Sequence, residues 1–448
     1  MKNDIIKVFR SNFIKVFSTL IVTFFIPKIL SIDNYAYIKL YQLYCSYIGV
    51  FHLGYCDSVY IKFGGKKIDG NVKNDFFILF LFQMILSVFI LIYAIIKKDF
   101  VVFFWALSFV PTILTTYLSQ YYQSIGNFSK YSRILNNTSF FDLLLNTILL
   151  FVLKIRDYKI YIAFYCFVLY LILIMSIFDF YKEYFKMKVT RKCSISLLPI
   201  NIRIGFLLMI GNFGYAIFSG IDKWFVKLLY PIESFAIYSF ACQLLSTVNM
   251  ITTPIGLTLF SYFSKNKSKQ FEKIISNGFI IILLGVLSFS FPIVFFIESF
   301  LTTYKSSIMS FRILLIGQIF LVYNTAIIVN LYKSYSLQKE YIIKMIIVII
   351  TSIITNFLFN LKMNFIESFA IATVINMIFW TIINLNSFKH LLPTKITSLY
   401  ILLLITTYII LFAFNSVVGF FIYSFIFFIL TLLLMKNNLA SLIRVLKK

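Results

Sequence analysis

A chain of 448 residues that is 61% hydrophobic and only 13% charged carries too little polar surface to fold in water as a globule of its length. Its net charge of +25, from 41 Lys and Arg against 16 Asp and Glu, would favour nucleic acid in a soluble protein. Here the basic residues sit mainly in loops between apolar stretches, so nucleic acid is set aside and a polytopic membrane protein remains.

Apolar stretches of about 20 residues, each long enough to cross hydrocarbon as a helix, recur along the whole chain. The sequence predicts fourteen spans, the first seven at roughly 12–30, 36–60, 76–96, 101–122, 138–153, 160–181 and 203–222. The other seven fall near 235–260, 275–297, 308–331, 341–360, 367–388, 398–415 and 418–435. The fold class is all-α. Lys2, Lys7, Arg10 and Lys15 lie around the start of the first span, and no small-residue cleavage site follows it, so it reads as uncleaved. Pro27 in the first span frees the carbonyl of Thr23, and Pro254 in the eighth frees that of Met250. Such breaks serve either as hinges or as bends absorbed by packing.

In the second span, Cys45, His52 and Cys56 fall at i, i+7 and i+11, on one face of a continuous helix. Three ligands with no companion pair elsewhere do not close a zinc site, and neither metal nor cofactor is expected. His52 reads instead as a polar group facing the space between the halves, since ionisable side chains rarely face lipid. Asp57, near the inner end of that span, is either a cavity residue or an interface residue. Asp142 shares a face with Ser139 and Asn146, and Asn356 shares one with Asn360. The asparagines suit helix-to-helix hydrogen bonds, and Asp142 suits a cavity. Asp222 and Lys223 are adjacent at the outer end of the seventh span and point about 100° apart, so their side chains do not pair directly. Cys242, Ser246, Asn249 and Thr253 form a polar stripe along the eighth. The candidates for polar cavity lining or ion coupling are therefore His52, Asp57, Asp142, Asp222, Ser246, Asn249 and Thr253.

Residues 211–267 echo residues 11–67 without gaps. Asn12 meets Asn212, Phe13 meets Phe213, Ile32 meets Ile232, Asp33 meets Glu233 and Ala36 meets Ala236. Each copy reads as helix, acidic turn, helix and basic loop, the mark of two related halves. With the N-terminus in the cytoplasm, 29 of the 41 Lys and Arg fall on the inner side, which places both termini there. Six spans before residue 203 make the two repeats parallel. The expected division is a six-helix lobe at 1–181, a basic cytoplasmic linker at 182–202, a second six-helix lobe at 203–389, and two further helices with a basic tail at 390–448. Gly64-Gly65-Lys66-Lys67 lacks the spacing of a nucleotide loop, and no enzyme signature stands elsewhere. The five cysteines show no CxxC pair and read as reduced core residues.

Asp33-Asn34-Tyr35-Ala36-Tyr37 with Gly54-Tyr55, and more firmly Gly220-Ile221-Asp222-Lys223-Trp224 with Ala236-Ile237-Tyr238-Ser239-Phe240-Ala241, resemble a known pattern. The chain resembles the Wzx-type flippases, the polysaccharide-transport branch of the multidrug/oligosaccharidyl-lipid/polysaccharide exporter superfamily. The resemblance implies a V-shaped, MATE-like transporter of two six-helix lobes plus two helices in a bacterial inner membrane. It implies export of undecaprenyl-pyrophosphate-linked repeat units of O-antigen, capsule or other lipopolysaccharide-type polymers to the outer leaflet, without enzymatic activity. Lys28, Lys39, Arg312 and Lys223 would then form the cationic surface for the pyrophosphate. Its partners would be the lipid-linked oligosaccharide, membrane lipids, H+ or Na+ as coupling ion, and a polysaccharide polymerase complex. Two alternatives stay open: a membrane-embedded polymerase or ligase, and an ion-coupled drug antiporter. The first lacks the large outer loop such enzymes usually carry, and the second lacks an acidic residue in the first span.

Overall fold

The computed structural model describes residues 19–63, 72–184 and 195–447, and these form helices joined by short turns, with no strand among them. The first span ends in a π-helical turn, Ile21–Phe25, and the short helix α1 (Ile26–Ile29) with Pro27 in its first turn. The wider turn directly precedes the ring that cannot donate a backbone hydrogen bond, so the freed carbonyls are absorbed locally rather than by a sharp kink. Helix α2 (Ile32–Ser46) starts at Ser31, whose side chain accepts the Asn34 N–H. A 3-10 turn, Ile48–His52, follows, and only then α3 (Tyr55–Phe63). The expected continuous second span is thus two helices with a break.

Next come α4 (Val72–Lys97), α5 (Phe100–Leu107), α6 (Phe109–Ser124), α7 (Phe128–Thr147) and α8 (Tyr158–Tyr184). Helix α9 (Leu197–Phe218) starts before the predicted 203 and bends by 45° near Leu207. The later chain holds α10 (Ile221–Leu229), α11 (Ile232–Lys265), α12 (Lys269–Val286), α13 (Ser290–Phe300), α14 (Ser307–Tyr323), α15 (Val329–Ser334) and α16 (Gln338–Met363). It closes with α17 (Glu367–Leu385), α18 (Lys395–Ile410), α19 (Ser416–Leu434) and α20 (Lys436–Lys447).

Ten helical stretches among the described residues are long and apolar enough to cross a membrane, and the bent α9 makes an eleventh. These ten match the third to sixth and ninth to fourteenth predicted spans. The protein is a multi-pass, all-helical membrane protein. Lipid-facing composition is clearest on α4 and α19, where Phe89, Ile96, Phe421, Phe425 and Leu433 are exposed. Such surfaces are at home only in hydrocarbon, where helices satisfy their own backbone groups.

Contacts divide the described residues into two compact units, one running up to Gly220 and the other from Ile221 onward. Helix α9, which the sequence reading set in the later lobe, counts here with the earlier helices. In the first unit the core is aromatic: Tyr55, Tyr117, Tyr121, Tyr122, Phe76 and Phe180 pack around α3, α4, α6 and α8. Trp105 anchors α5 to α2 by donating to the Tyr44 carbonyl at 2.8 Å, and Tyr41 shares a 2.7 Å hydrogen bond with Ser108. In the second unit a polar chain runs from Lys344 through Tyr332 and Asn384 to Asn324 and Thr381. It ties α15, α16 and α17 to another π-helical turn, Asn324–Ile328.

The internal repeat is visible in the helices. Both α2 and α11 begin two hundred residues apart, at Ile32 and Ile232. Residues 31–40 and 231–240 bury the same positions in the same order, with Tyr35, Ala36, Phe235 and Ala236 wholly enclosed. The copies part company further on. Helix α11 continues to Lys265 and passes through Pro254 as helix, whereas α2 stops at Ser46.

Candidate functional site: a broken helix with a buried His–Asp pair

The break between α2 and α3 is made by two consecutive left-handed residues, Leu53 at φ 50° and Gly54 at φ 89°. A leucine there is strained, by roughly 1–2 kcal/mol, and the surrounding packing must hold it. That packing is a close approach of two backbones. A Cβ on Gly205 of α9 would lie 1.9 Å from the Gly54 carbonyl oxygen, and one on Gly54 would lie 2.5 Å from the Phe206 nitrogen. Only glycine fits on either side.

The break buries His52 and, one turn on, Asp57. The Gly54 N–H donates to His52 Nδ1 at 3.0 Å, so the hydrogen of the neutral ring is on Nε2. That atom faces Asp57 Oδ2 at 3.8 Å. Gln83 of α4 steadies the turn, its Nε2 donating to the Phe51 carbonyl at 3.1 Å, while its buried Oε1 has no partner among the described residues. The structure brings His52 and Asp57 together. It removes the proposed single-face stripe of Cys45, His52 and Cys56, because the helix that would align them is interrupted. Among the described residues no group of three or more His, Cys, Asp or Glu could hold a metal ion.

Below the break, Lys62, Asp75 and Asn201 form a triad that the sequence reading passed over. Lys62 Nζ donates to Asp75 Oδ2 at 2.7 Å and to Asn201 Oδ1 at 2.8 Å. Asn201 Nδ2 returns to Asp75 Oδ1 at 3.3 Å. The signal was available: a carboxylate at the mouth of an apolar run needs a partner.

The other candidates are spread over both units. Asp142 is half-buried, and its carbonyl accepts from Asn146, whose own Oδ1 accepts from Tyr165 at 2.8 Å. Lys28 is exposed at the end of α1. Lys39 is buried in α2, with Nζ 3.0 Å from Gln42 Oε1 and over the Tyr35 ring. In the later unit Asp222 is buried and accepts from Tyr238 at 2.8 Å, from Thr373 at 3.4 Å and from the Lys223 backbone N–H at 2.8 Å. Lys223 thus meets Asp222 through its main chain. Asn249 accepts from Gln318 at 2.7 Å, and Ser246 bonds within its own helix to Gln243. The side chain of Thr253 lies outside the described residues. Arg312 is buried, its Nη1 donating to the Phe412 carbonyl at 2.9 Å with the guanidinium over that ring. Its Nε has no partner among the described residues. Asn360 accepts from Tyr230 of α10 as expected of a helix-to-helix bond, whereas Asn356 donates within its own helix to Ser352.

A third cluster was also missed. Glu272, wholly buried at the start of α12, meets His390 Nε2 at 2.6 Å and accepts from Tyr335 at 2.8 Å. Burial, and then the bond to Glu272, push the Tyr335 phenol up to about 12.

No protein-family profile and no curated protein sequence matches the chain. Solved structures do. The lipid II flippase MurJ in an inward closed conformation matches over 99% of this chain and 100% of its own, at 19% identity and a TM-score of 0.71. An inward-facing multidrug resistance MATE transporter of the MOP superfamily matches over 85% of this chain and 94% of its own, at 12% identity and 0.60. The chain has the MurJ/MATE fold. The Vibrio cholerae MATE transporter VcmN matches over 87% of this chain and 97% of its own, at 12% identity and 0.54. All three neighbours are transporters or flippases, and the multi-pass helical architecture read from the sequence is the one this MurJ/MATE fold displays.

Proposed function

We propose that the protein is a flippase that carries undecaprenyl-pyrophosphate-linked oligosaccharide repeat units from the cytoplasmic to the outer leaflet of a bacterial inner membrane, supplying O-antigen, capsule or a similar polymer. The observation that carries the reading is the reach of the likeness. A lipid II flippase covers 99% of this chain, against 85 and 87% for the multidrug transporters. The physical task agrees with the composition: a pyrophosphate and its sugars need a polar, cationic shelter while the lipid tail stays in hydrocarbon. On this reading the two six-helix lobes alternate access, and Lys28, Lys39, Lys223 and Arg312 receive the pyrophosphate. Arg312 suits phosphate oxygens through a planar fork, of which one edge already serves Phe412.

Deletion of the gene should trap the lipid-linked repeat on the inner leaflet. Unpolymerised repeats at the cell surface would instead point to a polymerase, and an unaltered surface with increased drug sensitivity to an antiporter. In the complemented strain, joint Lys28→Gln, Lys39→Gln and Arg312→Gln substitution should abolish surface polysaccharide with the protein still in the membrane. Normal polysaccharide there would remove the cationic role.

A further inference from the structure

The break at residues 48–54 is not imposed by the repeat. Two hundred residues on, α11 runs unbroken from Ile232 to Lys265 through the equivalent positions. The earlier copy spends a strained leucine and two buried ionisable groups where its twin has an ordinary helix. Buried ionisable groups within a membrane span are costly, and they are kept where something titrates or binds.

The geometry gives the ring a specific response to a proton. In its neutral form His52 offers the Nδ1 lone pair to the Gly54 N–H and carries its hydrogen on Nε2, facing Asp57. At 3.8 Å that second contact is too long for a hydrogen bond and short enough for a charged ring to be strongly attracted. A further proton has one lone pair to bind, and the Gly54 N–H already occupies it. Protonation converts this acceptor into a donor, so two N–H groups would face each other and the bond must break. The residue released is Gly54, whose main chain abuts Gly205 of α9.

We propose that His52 is the site at which this transporter takes up and returns a coupling proton, with Asp57 holding the charged ring and Gly54 relaying the change to the α3–α9 contact. The proton adds to Nδ1 from water on one side of the membrane and leaves Nδ1 for water on the other as access alternates. The inference rests on the transport reading above and names its coupling ion. The groups around the break leave Asp57 as the ring's partner. Helix α4 presents Gln83 and Asp75, the latter held by Lys62 and Asn201. Helix α6 presents the buried Tyr117, α9 carries the exposed Arg203, and α2 carries Lys39, bonded to Gln42. Among the described residues Asp57 is the one carboxylate within 4.0 Å of the ring.

The chain has two histidines, His52 and His390, so deuterium exchange at the imidazole C2 carbon, read in separate peptides from full-length protein in nanodiscs, follows each alone. We expect exchange at His52 to titrate as pH is lowered from about 8 to 3, a range that covers histidine both in water and in an enclosed site, and Asp57→Asn to displace its midpoint. A flat profile overturns the proposal, and an unmoved midpoint removes Asp57 from it. Nitroxides on Leu53→Cys and Phe206→Cys in a background lacking the natural cysteines then report the relay. Their separation should shift with pH in the parent. It should stay at its high-pH value in His52→Asn, whose Oδ1 accepts the Gly54 N–H but takes no proton. A parent that ignores pH, or a His52→Asn variant that responds like it, sinks the relay. Neither measurement uses substrate. A titrating His52 in a protein whose deletion traps no lipid-linked repeat would retire the flippase reading and leave the proton site standing.

Discussion

Gly205 has no room for a methyl group. The atoms a Cβ would meet are main-chain atoms of Gly54 and Ser58, which cannot swing aside as a side chain can. Gly205→Ala should therefore cost at least the usual overpacking penalty of about 1–3 kcal/mol and part α3 from α9. A melting temperature in detergent equal to the parent's would show that the two backbones are not this close. Gly54→Ala should be as damaging, because it adds a left-handed alanine to the clash. The ionisable residues near this contact were legible in the sequence, since His52 and Asp57 stand out inside an apolar run. Their pairing was not. It depends on Leu53 adopting a left-handed backbone that its side chain disfavours, and no local pattern announces a conformation that tertiary packing enforces. Tyr335 illustrates the same limit: nothing in its neighbourhood of sequence points to Glu272, 63 residues away. Burial and the bond to Glu272 push its phenol up to about 12, above its ordinary value near 10. A raised pKa favours the neutral phenol, so the stabilisation is complete below about pH 10 and is lost as pH climbs toward 12. Thermal melts over that window should fall more steeply for the parent than for Tyr335→Phe, and parallel slopes would exclude the contribution.

Helices of this chain were easy to find and their interruptions were not. Apolar length fixes a span, and ten of the fourteen stretches returned as helices able to cross. Proline was a poor guide to breaks: α11 passes through Pro254 without stopping, while α2 ends where the chain has no proline at all. The stronger cause was the pair Leu53–Gly54, held by α9 from outside the segment. What ties α9 to α3 and α4 beyond the glycines is the Lys62–Asp75–Asn201 triad. Asp75 is buried while the Lys62 side chain keeps 22% of its surface, so the ion pair is partly solvated and its energy lies below that of a fully enclosed one. Removing one partner still leaves an uncompensated charge. Asp75→Asn should destabilise the protein by roughly 3 kcal/mol, the lower end for a broken buried pair. The double change Lys62→Met, Asp75→Leu should recover much of that loss. Additive effects in this cycle, read from denaturation midpoints, would mean that the two groups do not act as a pair.

At the scale of the whole molecule the most informative sequence feature is the one that needs no contacts at all, the placement of charge. Twelve of the 41 Lys and Arg fall on the side predicted to be outside. Lys97 ends α4 and Lys98 follows it, Lys154 and Arg156 lie in the turn before α8 with Lys159 in its first turn, and Lys362 sits at the end of α16. These are short turns between long spans, where a few cations are tolerated. The remaining 29 gather at the termini and in the segments 62–75, 181–203 and 261–274, among others. Moving such clusters across a bilayer is opposed during insertion, which is the origin of the positive-inside bias. Parity then fixes everything else. The fourteen crossings expected from the sequence would bring both termini to one side, and six before residue 203 would send the second repeat in the same sense as the first. A single error in the span count would invert half of the loops, so two sites, one in each repeat, test the whole scheme. Cysteines placed singly at residues 68 and 268, in a background without the five natural ones, should resist an impermeant maleimide in intact cells and react once the membrane is opened. Labelling of both in intact cells would invert the orientation. Labelling of one alone would break the parallel relation of the repeats, and with it the argument that two copies of one helical unit share a single transport cycle.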